Sequence, residues 1–234
     1  MPSWIPTTLD RDIFLAMVDH TVLSATATAS DIDAVVDQAA DLGPAAVCVN
    51  GFWVQWVADR LRTQAIGRCA VVDFPLGAGS SAAKAAEAAS AVSDGATEVD
   101  MVVNLGLLLA GTLDGVESDI GAVRAAVAPD TIVKVILETA TLTDDQIVAG
   151  CRAPRRAGAD FVKTSTGFHA AGGASVDAVA LMATTVGDDL GVKASGGIRT
   201  LADVESMVQA GATRLGMSAT LAVLAEIEAR SEAG

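Results

Sequence analysis

Ala159-Asp-Phe-Val-Lys-Thr-Ser-Thr-Gly167 is a short apolar run of strand character that carries a lysine in its interior and ends in small hydroxyl residues and glycine. Two further runs repeat the pattern, Ile132-Val-Lys-Val-Ile-Leu137 and Gly191-Val-Lys-Ala-Ser195. The chain has only four lysines, at 84, 134, 163 and 193, against eleven arginines, so three of the four sit inside such runs. Lysine is almost never fully buried unless it is paired or has a task. These three strands are therefore expected to carry chemistry, with Lys163 at the centre of it. Lys84, in the alanine-rich run Ala82-Ala-Lys-Ala-Ala-Glu87, reads as an ordinary solvated helical residue.

Working outward, β-branched runs alternate about eight times with longer alanine-rich segments. That alternation predicts βα units and a parallel sheet. A leading helix is expected over 9–18, then strands at Val18–Val22, Ala45–Val49, Cys69–Asp73, Glu98–Val103, Ile132–Glu138, Asp160–Thr164, Val192–Ser195 and Arg214–Met217. Helices are expected from Ser30 (as N-cap) to Leu42, over 52–62, Ser81–Ser93, Ser118–Val127, from a capping box at Thr143 and Gln146, then over Val176–Val186, Leu201–Ala210 and Thr220–Ala229. Trp53, Trp56, Val57 and Leu61 fall at helical spacing and read as a packing face. No linker or low-complexity tract divides the chain. The expected fold is one TIM (β/α)8 barrel with a short N-terminal leading helix, a single catalytic domain over 1–234.

Composition narrows the function. At 234 residues the chain suits one barrel, and its 51% hydrophobic and 3% aromatic content implies a core of Ala, Val, Leu and Ile. A formal charge of −14 argues against nucleic acid, whose backbone needs clustered cations. No apolar run reaches the ~18 residues of a membrane span, and Met1-Pro-Ser-Trp-Ile-Pro lacks a basic segment followed by an apolar one, so a cytoplasmic protein with no membrane partner is expected. Cys48, Cys69 and Cys151 are odd in number and far apart, and read as buried reduced thiols. With His20 and His169 the only histidines, no metal centre is expected.

In a barrel the chemistry sits at the C-terminal ends of the strands. Asp19, Asn50, Asp73, Asp100, Asn104, Glu138, Lys163 and Lys193 all lie in or just beyond expected strands and are expected to converge on one mouth. An amine attacks a carbonyl only when unprotonated, which for lysine requires desolvation and a neighbouring cation. Lys163 is read as the imine-forming nucleophile, Lys193 as the cation that makes its proton easier to lose, and Asp100 as the group that moves protons. Lys134 is expected beside them. Glycine-rich stretches follow strands six to eight: Gly167-Phe-His-Ala-Ala-Gly-Gly173, Ser195-Gly-Gly-Ile-Arg199 and Gly216-Met-Ser218. Loops after strands seven and eight commonly bind phosphate in this fold, so a phosphorylated carbonyl substrate is expected.

Asp19-His-Thr21, Val47-Cys-Val-Asn50, Phe74-Pro-Leu-Gly77, Glu98-Val-Asp-Met-Val102, Val133-Lys-Val-Ile-Leu-Glu-Thr139, Ala157 to Phe168 and Val192-Lys-Ala-Ser-Gly-Gly-Ile-Arg-Thr200 together resemble the 2-deoxy-D-ribose 5-phosphate aldolases, a class I aldolase family on the TIM barrel. The resemblance runs from about 12 to 222. It implies reversible cleavage of 2-deoxy-D-ribose 5-phosphate to D-glyceraldehyde 3-phosphate and acetaldehyde. By position Lys163 matches the Schiff-base lysine, Asp100 the proton donor and acceptor, and Lys193 the electrostatic partner. Gly196, Gly197 and Ser218, with Thr166 and Gly167, would hold the substrate phosphate, supported by Asp19, Lys134 and Thr164. No cofactor or metal is implied, since the iminium is itself the electron sink. The partners are a phosphorylated sugar and small aldehydes, and a homodimer is left open.

The chain departs from the family pattern at Ser24 (commonly lysine), Gly51 (often proline), Asp73 (often glycine) and Met217-Ser-Ala-Thr220, and it has no tyrosine for a tail-borne proton relay. Two competing readings are another lysine-dependent aldolase or transaldolase that uses a ketone donor, and a non-catalytic phosphosugar-binding barrel.

Overall fold

The computed structural model describes residues 9–233, so the leader reading at Met1–Pro6 lies outside the described residues. In chain order the elements are α1 (Arg11–Met17), β1 (Val18–Val22), α2 (Ala29–Leu42), β2 (Ala46–Val49), a 3-10 turn (Gly51–Trp53), α3 (Val54–Arg60), β3 (Gly67–Val72), α4 (Ser81–Ser93), β4 (Glu98–Val102), α5 (Leu105–Leu109), α6 (Leu113–Ala126), β5 (Ile132–Ile136), a second 3-10 turn (Thr139–Thr141), α7 (Asp144–Ala157), β6 (Phe161–Lys163), α8 (Val176–Val186), β7 (Gly191–Ser195), α9 (Leu201–Ala210), β8 (Arg214–Met217) and α10 (Thr220–Ala233). All eight strands pair in parallel in chain order, and β8 returns to β1, with Asp19 opposite Gly216, to close the barrel. The expected TIM barrel with its leading helix is the fold observed.

Side chains alternate along each strand. One set faces the helices: Val47 and Val49 on β2, Ala70 and Val72 on β3, Val99 and Met101 on β4, Val133 and Val135 on β5, all at most 1% exposed. These build the apolar core between sheet and helices, each large side chain contributing about 1.5–3 kcal/mol. The other set faces the barrel interior and includes Asp19, Asp100, Lys134 and Lys193, none of them exposed. Alternation on a closed sheet therefore sends the charge inward and the hydrocarbon outward.

Helix starts follow local chemistry. The capping box at Thr143 and Gln146 is present as expected, and Thr200 with Asp203 makes another; such caps are worth about 1 kcal/mol each. The cap of α2 is Thr28, not Ser30: the Thr28 amide donates to Asp31 Oδ2 at 2.7 Å, which places Ser30 inside the first turn. α6 runs from Leu113 to Ala126 and contains the expected Ser118–Val127 stretch up to its C-cap, Val127, and α5 was not foreseen, because Leu105-Gly-Leu-Leu-Leu109 has no helical periodicity of its own and is started by the Asn104 side chain. Asp73 sits at φ 50°, a conformation that suits glycine or Asp/Asn, and its carboxylate accepts from the Gly79 amide at 2.7 Å.

Three expectations are overturned in the fold. The tryptophan packing face is only partly one: Val57 and Leu61 are buried, but Trp56 is 37% exposed, donates to Asp33 and lies under the Arg60 guanidinium. Lys84 is not solvated. It is fully buried, donating to Asp119 at 2.6 Å and to the Val102 carbonyl at 2.9 Å. It shares the inward face of α4 with Ala88, four residues on, and Ala91, three further, and those small side chains let the helix lie close enough to swallow the lysine stem. Finally, the mouth residues do not all converge, as the site makes plain.

Candidate active site

Asp100, in the middle of β4, is the hub. Lys134 donates to its Oδ1 at 2.9 Å, and Lys163 and Lys193 both donate to its Oδ2 at 2.7 Å. Sheet register brings them together: Asp100 lies opposite Lys134 across β4–β5, and Lys163 opposite Lys193 across β6–β7. Beneath this group Asp19 is paired with Lys193, with Arg214 at 2.7 Å and with Lys134 at 3.5 Å, while Glu98 pairs with Lys134 and lies 3.5 Å from Arg214. Room for the Lys193 stem comes from β8: a Cβ at Gly216 would lie 3.0 Å from Lys193 Cε.

Electrostatics keep Asp19, Asp100, Lys134 and Lys193 ionised. Burial by itself would push the Asp100 carboxyl up, but Lys134, Lys163 and Lys193 together hold it well below the usual carboxylate range. Asp19 is likewise raised by burial and pulled down further by Lys193, Lys134 and Arg214. Burial works against the charged forms of Lys134 and Lys193, yet the facing carboxylates, Asp100 first, raise both above the ordinary lysine value. Lys193 is thus held as a cation and Asp100 as a carboxylate.

Above the cluster opens a cavity of about 380 Å³, walled by Thr21–Ser24, Thr166–Phe168, Ser195–Arg199 and Gly216–Ser218. Of Asp19, Glu98, Asp100, Lys134, Lys163, Lys193 and Arg214, Lys163 alone lines it. Gly167, Gly196, Gly197 and Ser218 are all in the wall, as expected. Gly196 and Gly197 have φ of 86° and 85°, and a Cβ on Gly196 would sit 3.0 Å from the Gly173 backbone, so the loops after β6 and β7 touch through bare backbone. Thr164 staples β6 to β7, donating to the Ser195 carbonyl at 3.1 Å and accepting from its amide at 3.0 Å. Thr166 also lines the cavity, but its hydroxyl is committed to Glu138 and to the Phe168 amide, so its main work is to shape the loop.

Asn50, Asp73, Asn104 and Glu138 do not join the cluster. Asn50 donates to the Leu23 carbonyl, Asp73 caps Gly79, Asn104 caps α5 and Glu138 holds Thr166. Asp73 and Asn104 thus serve backbone amides of their own loops, while Asn50 and Glu138 tie neighbouring loops together.

Sequence reading missed Arg199 in the cavity wall, the Thr21–Ser24 segment, and the lower layer of Glu98 and Arg214. Glu98 could have been found, since it stands two before Asp100 and so shares its face of the strand.

The three thiols are free and buried as expected, with burial pushing Cys151 up to about 12. Cys69 donates to Asp100 Oδ1 at 3.1 Å. Cys48, Cys69 and Asp100, and likewise Asp19, Cys69 and Glu98, bring donor atoms within 4.8 Å of one another. Each carboxylate in those groups already faces an ammonium of Lys134 or Lys193, which is poor company for a cation. Among the described residues no helix is long and apolar enough to cross a membrane.

Comparison with known proteins agrees with this geometry. The family model for DeoC/LacD family aldolases matches residues 13–226. A deoxyribose-phosphate aldolase of Kocuria rhizophila is 54% identical over 92% of this chain and 97% of the relative, and that of Corynebacterium diphtheriae is 54% identical over 93% and 98%. A deoxyribose phosphate aldolase from Aeropyrum pernix, described as a tetramer, superposes with a TM-score of 0.86 at 32% identity, covering 94% of this chain and 92% of that one. The buried lysine–carboxylate cluster thus stands in a chain that belongs to the DeoC/LacD family of aldolases.

Proposed function

We propose that this chain is a class I deoxyribose-phosphate aldolase that reversibly cleaves 2-deoxy-D-ribose 5-phosphate to D-glyceraldehyde 3-phosphate and acetaldehyde. The observation that carries the reading is that Lys163, alone among the groups of the charged cluster, opens onto the cavity. Counted as ionised, the cluster sets Asp19, Glu98 and Asp100 against Lys134, Lys163, Lys193 and Arg214. Three negative charges face four positive ones, and a neutral Lys163 leaves the cluster in balance.

In the cleavage direction the Lys163 amine attacks C1 of the open-chain sugar, and loss of water leaves an iminium. Removal of the C3 hydroxyl proton breaks the C2–C3 bond, and the electron pair passes into the iminium to give an enamine. Glyceraldehyde 3-phosphate departs. Protonation at C2 and hydrolysis then release acetaldehyde and the free amine. Asp100, hydrogen-bonded to Lys163, is the proton carrier closest to the amine, and Lys193 supplies the fixed positive charge that favours a neutral neighbour. The substrate phosphate fits the left-handed glycines Gly196 and Gly197 together with Gly167, Thr166 and Ser218, and Arg199 adds the cation that this acidic chain otherwise lacks there. Asp19, Lys134 and Thr164 hold the cluster and the β6–β7 seam in place. We place the enzyme in the cytoplasm, supported by its three unpaired thiols, and carry a homodimer forward as its assembly.

Borohydride reduction in the presence of acetaldehyde tests the mechanism. The expected result is a two-carbon mass addition on the peptide that carries Lys163; a Lys163→Ala protein that cleaves the sugar phosphate at the normal rate would sink it. Trapping with a ketone donor but not with acetaldehyde would favour the transaldolase reading.

A further inference from the structure

Asp19 on β1 faces the barrel interior, so its neighbour His20 faces the helices. The ring is buried and uses both nitrogens, Nε2 against Oε1 of Gln38 on α2 at 2.9 Å and Nδ1 against Oγ1 of Thr220, the first residue of α10, at 2.8 Å. The partners fix the roles. An amide oxygen only accepts, so Nε2 carries the proton and Nδ1 is left to accept from the Thr220 hydroxyl. Burial, which holds the ring below its usual 6.5, keeps it in that neutral form. One imidazole thus ties β1 to two helices. What it ties down borders the cavity over Lys163. β8 passes into α10 through Ser218 and Ala219 alone, and His20 lies opposite Met217 in the β1–β8 register. Gly216–Ser218 form one wall of the cavity, and Thr21–Ser24, which follow His20 directly, form another. α8 and α9 begin on the capping hydroxyls of Ser175 and Thr200, but the residue before α10 is Ala219, which has no side chain able to cap. Among the described residues, the bond from Thr220 to His20 is the only side-chain hydrogen bond made anywhere from Gly216 to Thr220.

We propose that His20 is a positioning residue for the substrate phosphate: through the Thr220 hydroxyl it holds the first turn of α10, and with it Ser218, at a fixed distance from the Thr21–Ser24 wall. The inference rests on the aldolase reading above and on the phosphate arm assigned there. The first amides of a helix have no partner within it and carry the positive end of its dipole, so their aim decides how well they hold an anion. Ser218 is exposed at the mouth while Thr220, two residues on, is fully buried, so one hydroxyl is open to a ligand and the other is spent on alignment. Neither His20 nor Thr220 lines the cavity. Their influence therefore falls on the phosphate end of the substrate and not on the carbons that react at Lys163.

The full-length protein is assayed for acetaldehyde release from 2-deoxy-D-ribose 5-phosphate and from 2-deoxy-D-ribose, and for inhibition of the second reaction by inorganic phosphate, as wild type, Thr220→Val, Thr220→Ser and the double variant His20→Leu/Thr220→Val. Valine keeps the shape of threonine and removes the hydroxyl. Thr220→Val is expected to raise the KM for the phosphorylated sugar and the inhibition constant of phosphate about tenfold each, the low end for losing one hydrogen bond to a charged group. The ratio of kcat/KM for the phosphorylated over the unphosphorylated sugar falls by the same factor. Thr220→Ser keeps the hydroxyl and restores both values to within about twofold. The double variant replaces both partners with hydrocarbon and so leaves no buried polar atom stranded at this bond; it folds even where Thr220→Val does not, yet keeps the lowered ratio. An unchanged ratio in Thr220→Val or in the double variant overturns the proposal, as does an equal loss on both sugars or a Thr220→Ser protein as impaired as Thr220→Val. Failure of the parent reading shows in wild type instead: it cleaves neither sugar and gives no borohydride adduct on Lys163, or it cleaves both with equal KM and is indifferent to phosphate, and this inference falls with it.

Discussion

Lys84→Met tests the value of a buried ion pair outside the cluster that holds the reacting amine. Methionine keeps the length and most of the packing of the stem but removes the ammonium that donates to Asp119 at 2.6 Å and to the Val102 carbonyl at 2.9 Å. The side chains of Lys84 and Asp119 are 0% and 2% exposed, so water cannot replace what is lost. Asp119 accepts no other hydrogen bond among the described residues. Stranding one member of a buried pair costs about 3–5 kcal/mol. For a chain of this size each kcal/mol moves the unfolding midpoint by about 2–4 °C, so a fall of roughly 10 °C is expected. Lys84→Met/Asp119→Leu removes both charges and should recover most of the loss, because exchanging a buried pair for hydrocarbon is close to neutral. Urea unfolding of wild type, both single variants and the double completes the cycle. A single variant that loses less than about 1 kcal/mol, the worth of a solvated pair, refutes the reasoning. A double variant no better than the sum of the singles does the same.

Lys193→Met should lower kcat by at least about a hundredfold and move the acidic limb of the pH–rate profile to higher pH, because a nearby cation favours the neutral form of an amine; an unmoved limb with near-normal kcat removes its assigned role. His20, bonded to Gln38 at 2.9 Å and Thr220 at 2.8 Å, is held below its usual 6.5 by burial, against the pull of Gln38. The unfolded chain therefore takes a proton first, and stability present above pH 6.5 should decline as pH falls below it, with a flatter decline in His20→Gln; identical slopes in urea titrations at several pH values would discount the effect. Asp19 and Asp100 are both depressed in the fold, so their stabilisation holds above about pH 3.8 and is lost as pH falls further, which circular dichroism on acid titration should register as steeper loss in wild type than in Asp19→Asn.

Much of this protein is legible without its structure, because barrel order is a local property repeated eight times. Alternating runs specify strands, capping residues specify helix starts, and short connections force neighbours in sequence to be neighbours in space. Lys134, Lys163 and Lys193 stood out because a strand with a helix on one side leaves its polar residues only the barrel interior to face. Their partner Asp100 was legible for the same reason. Lys84 was misread because its environment is set by α6, whose Asp119 lies 35 residues further on, and no local signal announces that pairing.

What the sequence determined by itself was the order of elements, the closed parallel fold they imply and the identity of the charged strand residues. What only the tertiary structure decided was the division of labour among those residues. Lys163, Lys193 and Lys134 have nearly the same local setting, yet Lys163, at the last position of β6, lines the cavity, while the other two do not and are paired with Asp19, Asp100 and Glu98. Which lysine reaches the cavity depends on how eight strands are staggered as the sheet closes and on the loops above them, and no single strand contains that information.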